Sequence, residues 1–133
     1  VSLKKGAQSK EEASENENKI DTSSYVVAIS DDRMGKGDED FSKSLLEGFI
    51  YALTEQDKLP EKVIFYNRGV FLTAENEKTI EDLKVLADKG VEILSCGLCL
   101  GNYKLKEKLA VGEITNMYKI VEILRSYHTV SPC

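Results

Sequence analysis

A pair of cysteines separated by two residues carries the clearest chemical signal of the sequence. Cys96 ends a short apolar run of the kind that forms a buried strand, and Cys99 follows just before a segment with helical spacing. A thiolate near the N–H groups that open a helix is stabilised, which lowers the thiol pKa. Gly97 carries no side chain, so we expect room beside Cys96 for another sulfur. The pattern indicates a reactive thiol, used for thiol–disulfide exchange or sulfur transfer.

Two other interpretations of the Cys-Gly-Leu-Cys sequence are open at this stage. A zinc site needs four ligands, and only Cys133 and His128 are available to complete the set. Both lie in an unrelated element, so we expect no metal and no other cofactor. Buried, inert thiols are the second alternative, because a free cysteine packs as a small apolar side chain. Thioredoxin is a poor match, since Ser95 and no aromatic residue precedes Cys96.

The elements that must position these cysteines alternate along the chain. Short apolar, β-branched runs predict strands over residues 25–30, 62–66, 91–95 and 127–131. Apolar residues at helical spacing predict helices over residues 39–55, 79–89, 103–109 and 115–126. This alternation predicts an α/β fold, a three-layer α/β/α sandwich on a mainly parallel sheet of about five strands. The last helix aligns five apolar residues on one face, namely Ile114, Met117, Tyr118, Val121 and Leu124.

Three loops leave the carboxyl ends of the predicted strands, where parallel sheets bind ligands. The first, residues 31–38, is rich in glycine but also in acids, which would repel a phosphate. We interpret it as a glycine turn that leads into a helix capped by Asp38. A loop that shapes a pocket or contacts a partner is the alternative, and a nucleotide loop is the least favoured reading.

The second and third loops, residues 67–72 and 96–103, supply the candidates for substrate binding. Asn67 begins a turn, and the apolar residues 70–72 after it either cover the core or form a subunit interface or pocket wall. Asn102 and Tyr103 follow the cysteines and either position a substrate or cap the helix. We therefore expect Cys96 and Cys99 to be catalytic, and Gly97, Asn67, Asn102 and Tyr103 to bind substrate.

Composition limits the classes of function that this chain can have. It has 133 residues, 41% hydrophobic and 31% charged, enough for one domain with a core. The net charge of -5 argues against a nucleic-acid partner, and no apolar run is long enough for a membrane span. A single histidine excludes a catalytic apparatus built on several. Three cysteines are too few for a disulfide-stapled scaffold, and we expect a cytoplasmic protein.

The first residues of the chain differ in composition from the rest. Residues 1–22 are rich in Ser, Glu, Lys and Asn and almost free of large apolar groups. Such a stretch buries too little surface to offset its ordering entropy. We interpret it as a flexible linker or tail, which would tether a preceding domain, and we place the folded domain at residues 23–133.

Three motifs in the same order resemble the DsrE/DsrF-like family, specifically the C-terminal domain of YedF-type proteins, described as sulfurtransferase-like selenium metabolism proteins. They lie at residues 30–38, 65–70 and 96–118. The resemblance implies an α/β sandwich, a homo-oligomer (dimer, trimer or hexamer) and sulfur carried as a cysteine persulfide. Cys96 falls at the place of the persulfide cysteine, whereas no role transfers to Cys99. YedF-type proteins place a TusA-like domain before this one, which makes such a domain a candidate sulfur donor or acceptor.

The leading hypothesis is a sulfur-relay domain whose Cys96 carries a sulfane sulfur, or a selenium, and whose Cys99 can resolve the persulfide as a disulfide. The alternative from another class is a non-enzymatic, oligomeric binding or scaffolding module with incidental cysteines. A flavodoxin-like binder of a small ligand or nucleotide is a weaker third hypothesis.

Overall fold

A parallel sheet of five strands forms the centre of the computed structural model, which describes residues 24–133. The predicted tail at residues 1–22 therefore lies outside the described residues. The elements are, in chain order, β1 (Tyr25–Ile29), α1 (Glu39–Thr54), β2 (Lys62–Phe65), α2 (Phe71–Ala74), α3 (Glu77–Asp88), β3 (Glu92–Cys96), α4 (Gly97–Asn102), β4 (Glu113–Thr115), α5 (Met117–Ser126) and β5 (His128–Val130). Two short 3-10 helices lie at Asn67–Val70 and Lys106–Lys108.

The strand order is β4-β3-β2-β1-β5, and every neighbouring pair is parallel. In the middle of the sheet Val27 pairs with Val63, and Val63 pairs with Ile93. Successive residues of a strand point to opposite faces, so each central strand serves two apolar cores. One core lies under α1 and α3, and the other lies under α5. The predicted α/β/α sandwich with a parallel sheet is confirmed.

The ends of the two long helices follow the signals that the sequence contains. The carboxylate of Asp38 accepts a hydrogen bond from the N–H of Phe41 at 3.0 Å and caps α1 as predicted. Asn76 caps α3 in the same way, which starts this helix two residues earlier than the apolar spacing suggests. Gly90, which follows the last turn of α3, has a φ of +98°. Glycine adopts this left-handed conformation without steric strain, and the helix ends there.

The predicted helix over residues 103–109 is wrong. The chain forms α4 directly after β3, so Cys99 lies inside a helix and does not precede one. After α4 the backbone of Lys104 turns into the left-handed region with a φ of +59°, which an α-helix cannot contain. Leu100 and Leu105 are buried on either side of this turn and hold it against the core. The short edge strand β4 was not predicted at all.

The predicted apolar face of α5 does not pack on the sheet. Ile120 and Ile123 face the core, where they meet residues of β1, β2 and β3. This helix has apolar residues on two sides, and the strands select the side with the two isoleucines. Four of the five residues that the spacing aligned are exposed instead, and we call them the apolar stripe: Ile114, Met117, Tyr118 and Val121.

Candidate thiol site

The three predicted loops meet at the carboxyl edge of the sheet. Arg68 of the second loop pairs with Asp32 of the first, with 3.3 Å between Nε and Oδ1. The neighbouring Asn67 reaches the third loop: its backbone N–H donates a hydrogen bond to Cys99 Sγ at 3.0 Å. The hydroxyl of Tyr103 also donates to Asn67 Oδ1 at 3.1 Å. The second loop therefore joins the other two.

A close approach between backbones places this second loop. A Cβ atom on Gly69 would lie 2.3 Å from the carbonyl oxygen of Ile29, so no other residue fits without displacing the end of β1. Val70 and Leu72 are buried, which shows that the apolar run after Gly69 covers the core. Between them Phe71 is only partly buried and packs on the third loop. Phe71 also packs against the core, so all three residues fit the reading in which this run covers the core.

Cys96 is the last residue of β3, and its side chain is enclosed. The residue is 1% exposed and packs in the core beneath α5, beside Ile120 and Leu94. It occupies the N-cap position of α4, yet its side chain makes no capping hydrogen bond. The expected stabilisation of this sulfur by helix N–H groups is therefore not formed.

Cys99 lies one turn into the helix and is partly exposed. Its side chain packs against both apolar cores, at the end of the sheet where they meet. Burial raises the pKa of the Cys99 thiol; the hydrogen bond from Asn67 lowers it, and the neighbouring Cys96 thiol raises it again. The net shift is upward, so the expected lowering of the thiol pKa is wrong for Cys99.

Asn67 holds its N–H toward the sulfur through an unusual backbone conformation. Its φ is +51°, in the left-handed region that asparagine tolerates better than most residues. Tyr103 fixes the amide side chain, and the Tyr103 ring in turn packs on Phe71 with 5.0 Å between ring centroids. Two of the four predicted binding residues, Asn67 and Tyr103, thus touch the site. Asn102 is exposed at the end of α4 and makes no hydrogen bond to the other site residues within the described chain.

Gly97 has a different role from the one that its size suggested. A Cβ atom at this position would lie 2.9 Å from Cγ2 of Ile114, a residue of β4. The missing side chain therefore admits the edge strand beside the cysteines, and β4 fills the space that we expected a second sulfur to use. The next residue, Leu98, is 78% exposed and flanks Cys99 on the solvent side.

A cluster of charges, absent from the sequence-based site, lies on the other side of the second loop. The Asp32 side chain, 11% exposed, contacts Arg33, Arg68 and Lys43. Burial alone would raise the pKa of Asp32, but its interaction with the neighbouring Asp31 carboxyl and the hydrogen bonds donated by Arg68 and Arg33 outweigh it and hold this pKa below its usual range. The acids of the first loop are thus paired within the protein. Arg68 lies 36 residues from Asp32, so no local pattern reveals this pair.

A cavity of about 560 Å³ opens next to this cluster. Its wall includes Asp32, Arg68 and Phe71, so that it borders the Tyr103 side of the thiol site. Among residues 24–133 no three His, Cys, Asp or Glu side chains are arranged to hold a metal ion. No helix in this part of the chain is long and apolar enough to cross a membrane.

Comparison with known proteins supports the fold. No family model and no curated protein sequence matches the chain. Solved structures do match: the YchN protein from E. coli, at 15% identity and a TM-score of 0.60, aligns over 81% of this chain and 97% of its own. MTH1491 from Methanobacterium thermoautotrophicum, of unknown function, aligns at 17% identity and a TM-score of 0.59, over 82% of this chain and 98% of its own.

A third structure agrees with these two. BT1422 from Bacteroides thetaiotaomicron, a conserved protein of unknown function, aligns at 14% identity and a TM-score of 0.57, over 80% of this chain and 93% of its own. At such identities the likeness concerns the fold and leaves the chemistry to the residues of this chain. The chain has the DsrE-like α/β fold that YchN and these proteins share.

Proposed function

We propose that this domain is a sulfur carrier that holds a sulfane sulfur on a cysteine of the Cys96–Cys99 pair. One observation carries the proposal: two thiols neighbour each other at the carboxyl edge of a parallel sheet, and a backbone N–H from another loop donates to one of them. Ligands and chemistry collect at this edge in parallel sheets. The sequence resemblance to YedF-type proteins supports the same chemistry, with selenium as a second possible cargo.

The transfer needs no external oxidant. A cysteine thiolate attacks the outer sulfur of a donor persulfide, which forms one S–S bond, breaks the donor's S–S bond and releases the donor as a thiolate. An acceptor thiolate then takes the outer sulfur in the same way and restores the cysteine. Without an acceptor, the second cysteine attacks the inner sulfur; this forms the Cys96–Cys99 disulfide and releases hydrosulfide. The interpretation of the sequence places the carried sulfur on Cys96.

Sodium polysulfide and intact mass measurement test the proposal. The wild type is expected to gain one sulfur atom, or to lose two hydrogen atoms where the Cys96–Cys99 disulfide has closed, and dithiothreitol reverses both changes. A variant with both Cys96→Ala and Cys99→Ala is expected to gain none, although it keeps Cys133 as an internal control thiol. Equal gain in the variant would place the chemistry on Cys133 and reject the proposal. We place this activity in the cytoplasm, where thiols stay reduced, and a TusA-like domain is our candidate protein donor.

The competing hypothesis is an oligomeric module with incidental cysteines. The raised pKa of Cys99 favours it, because a thiol with a raised pKa is mostly protonated at neutral pH, as inert thiols are. Its own surface is the apolar stripe, in which Tyr118 is 82% exposed. The stripe continues from the edge strand β4 onto α5, and open sheet edges beside apolar surface are places where chains associate. We propose that a second copy of the chain covers it, whichever function holds.

Sedimentation velocity tests this assembly. A Tyr118→Asp, Val121→Asp variant is expected to sediment as a smaller species than the wild type. Phe41→Asp is the matched control, because Phe41 is also an exposed aromatic residue but lies on α1, away from the stripe. Unchanged sedimentation of the stripe variant, or an equal loss in the control, would remove the support for this interface.

A further inference from the structure

We infer that Cys99 is the cysteine that attacks the sulfur donor, and that Cys96 is the internal thiol that closes the disulfide. The inference rests on the proposed sulfur-carrier function and reverses the roles that the sequence suggested for the two residues. It follows from the surroundings of each sulfur, which the sequence does not reveal.

Accessibility separates the two sulfurs first. A donor persulfide must bring its outer sulfur to bonding distance of the attacking thiolate, along the line of the bond that breaks. Cys96 is 1% exposed and lies in the core beneath α5, among apolar side chains of three strands. A donor would have to enter this core to reach it. Cys99 is partly exposed, and the residue before it, Leu98, lies almost fully in solvent.

Hydrogen bonding separates them second. The N–H of Asn67 lies 3.0 Å from Cys99 Sγ and is held there by the left-handed backbone of Asn67. This donor stabilises negative charge on the sulfur as the thiolate forms and as it is regenerated after transfer. No backbone N–H in the described part of the chain donates to Cys96 Sγ as a helix cap would. The groups that favour a reactive thiolate are therefore on Cys99.

Proximity gives Cys96 its role. Cys99 packs against the core cluster that contains Cys96, so the two residues are neighbours although Cys96 is shielded from solvent. Once Cys99 carries the outer sulfur, the Cys96 thiolate attacks Cys99 Sγ, forms the S–S bond between the two residues and expels hydrosulfide. The two cysteines lose two electrons and the sulfane sulfur gains them. A buried partner of this kind reacts with its neighbour and not with a bulky donor.

The experiment uses two variants of the full chain that keep one thiol each. Cys96→Ala with Cys133→Ser leaves Cys99, and Cys99→Ala with Cys133→Ser leaves Cys96. Both are treated with glutathione persulfide, and sulfur uptake is followed by intact mass. We expect the variant that keeps Cys99 to gain one sulfur atom at least tenfold faster than the variant that keeps Cys96. Faster uptake by Cys96 would overturn the inference and leave the proposed function intact.

If neither variant gains sulfur, the proposed function fails together with the inference. A second measurement does not depend on sulfur transfer. A bulky maleimide is expected to label Cys99 of the Cys133→Ser protein at least tenfold faster than Cys96, with circular dichroism confirming that each variant is folded. Labelling of Cys96 at an equal or greater rate would show that Cys96 is the accessible thiol and would overturn the assignment on its own.

Discussion

The charged cluster around Asp32 and the thiol site lie at the same edge of the sheet but are held by different interactions. In the cluster, side chains with full charges neutralise one another, as in the contact between Asp32 and Arg68. At the thiol site a backbone N–H donates to a sulfur and a tyrosine hydroxyl donates to an amide oxygen. Neither the donors nor the acceptors carry a full charge. The acidic side chains Asp31 and Asp32 of the first loop therefore pair with basic residues of the protein itself. We therefore expect a partner of the thiols to be recognised by shape and hydrogen bonds more than by charge.

The second loop links these two regions, and breaking it gives the largest expected effect. In Gly69→Ala the new Cβ meets the Ile29 carbonyl oxygen, so the loop must leave the end of β1. We expect a loss of about 3 kcal/mol in the free energy of unfolding. Urea denaturation measures it. Gly48→Ala is the control: its Cβ meets nothing within 4 Å on helix α1, so a gain of about 0.5–1 kcal/mol is expected. Equal effects at both glycines would contradict the packing.

Removing the charge of Asp32 tests the charged cluster independently of the thiol site. Asp32→Asn breaks the contacts with Arg33 and Arg68 and is expected to cost about 1–2 kcal/mol at neutral pH. The folded protein holds the pKa of Asp32 below its unfolded value, so its contribution is full above the unfolded pKa of about 3.9. It is lost as the pH falls through the folded pKa. Urea curves between pH 7 and pH 2 test this, and a pH-independent difference would contradict it.

Substitution of Asn67 tests the thiol site, because its backbone conformation holds the N–H toward Cys99. Asn67→Val strains the left-handed conformation and displaces the N–H, whereas Asn67→Gly keeps both. In the wild type the rate of Cys99 alkylation is expected to rise with pH beyond the ordinary thiol pKa of about 8.5, because the pKa is raised. The valine variant is expected to move this profile to still higher pH, and the glycine variant much less. Equal profiles in both variants would mean that the N–H does not act on the sulfur.

The smallest effect is expected from the tyrosine hydroxyl. Tyr103→Phe removes the hydrogen bond to Asn67 and keeps the ring contact with Phe71. Because this group acts only through Asn67, we expect a shift of a few tenths of a pH unit in the alkylation profile of Cys99. The free energy of unfolding is expected to fall by about 0.5–1 kcal/mol. A larger shift than that of Asn67→Val would show that the hydroxyl acts on the sulfur directly.

The sheet could be predicted from the sequence because its central strands are long, β-branched and buried on both faces. Strand β4 was missed because it has only three residues, of which one is partly buried and two are exposed. The helix α4 was placed too late because the apolar residues after Tyr103 imitate helical spacing, and only the left-handed turn at Lys104 excludes it. On α5 two apolar faces compete, and the tertiary contacts decide between them.

The site could be predicted only to the level of loops. The rule that parallel strands end at one edge brought the cysteines and Asn67 together correctly. The burial of Cys96 depends on α5, which begins at Met117, and the donor to Cys99 depends on one φ angle. The link from Arg68 to Asp32 is likewise set by the packing of Gly69. None of these follows from residue types.

Peptide mapping of the unaltered protein tests the central claim most directly. After treatment with a persulfide donor and rapid alkylation, trypsin separates residues 90–104, with both paired cysteines, from residues 126–133, with Cys133. The account predicts one added, reducible sulfur on the first peptide, located on Cys99 by fragmentation, or the Cys96–Cys99 disulfide that follows from it, and no added sulfur on the second. The absence of both products from residues 90–104, or equal amounts of added sulfur on the two peptides, would contradict it.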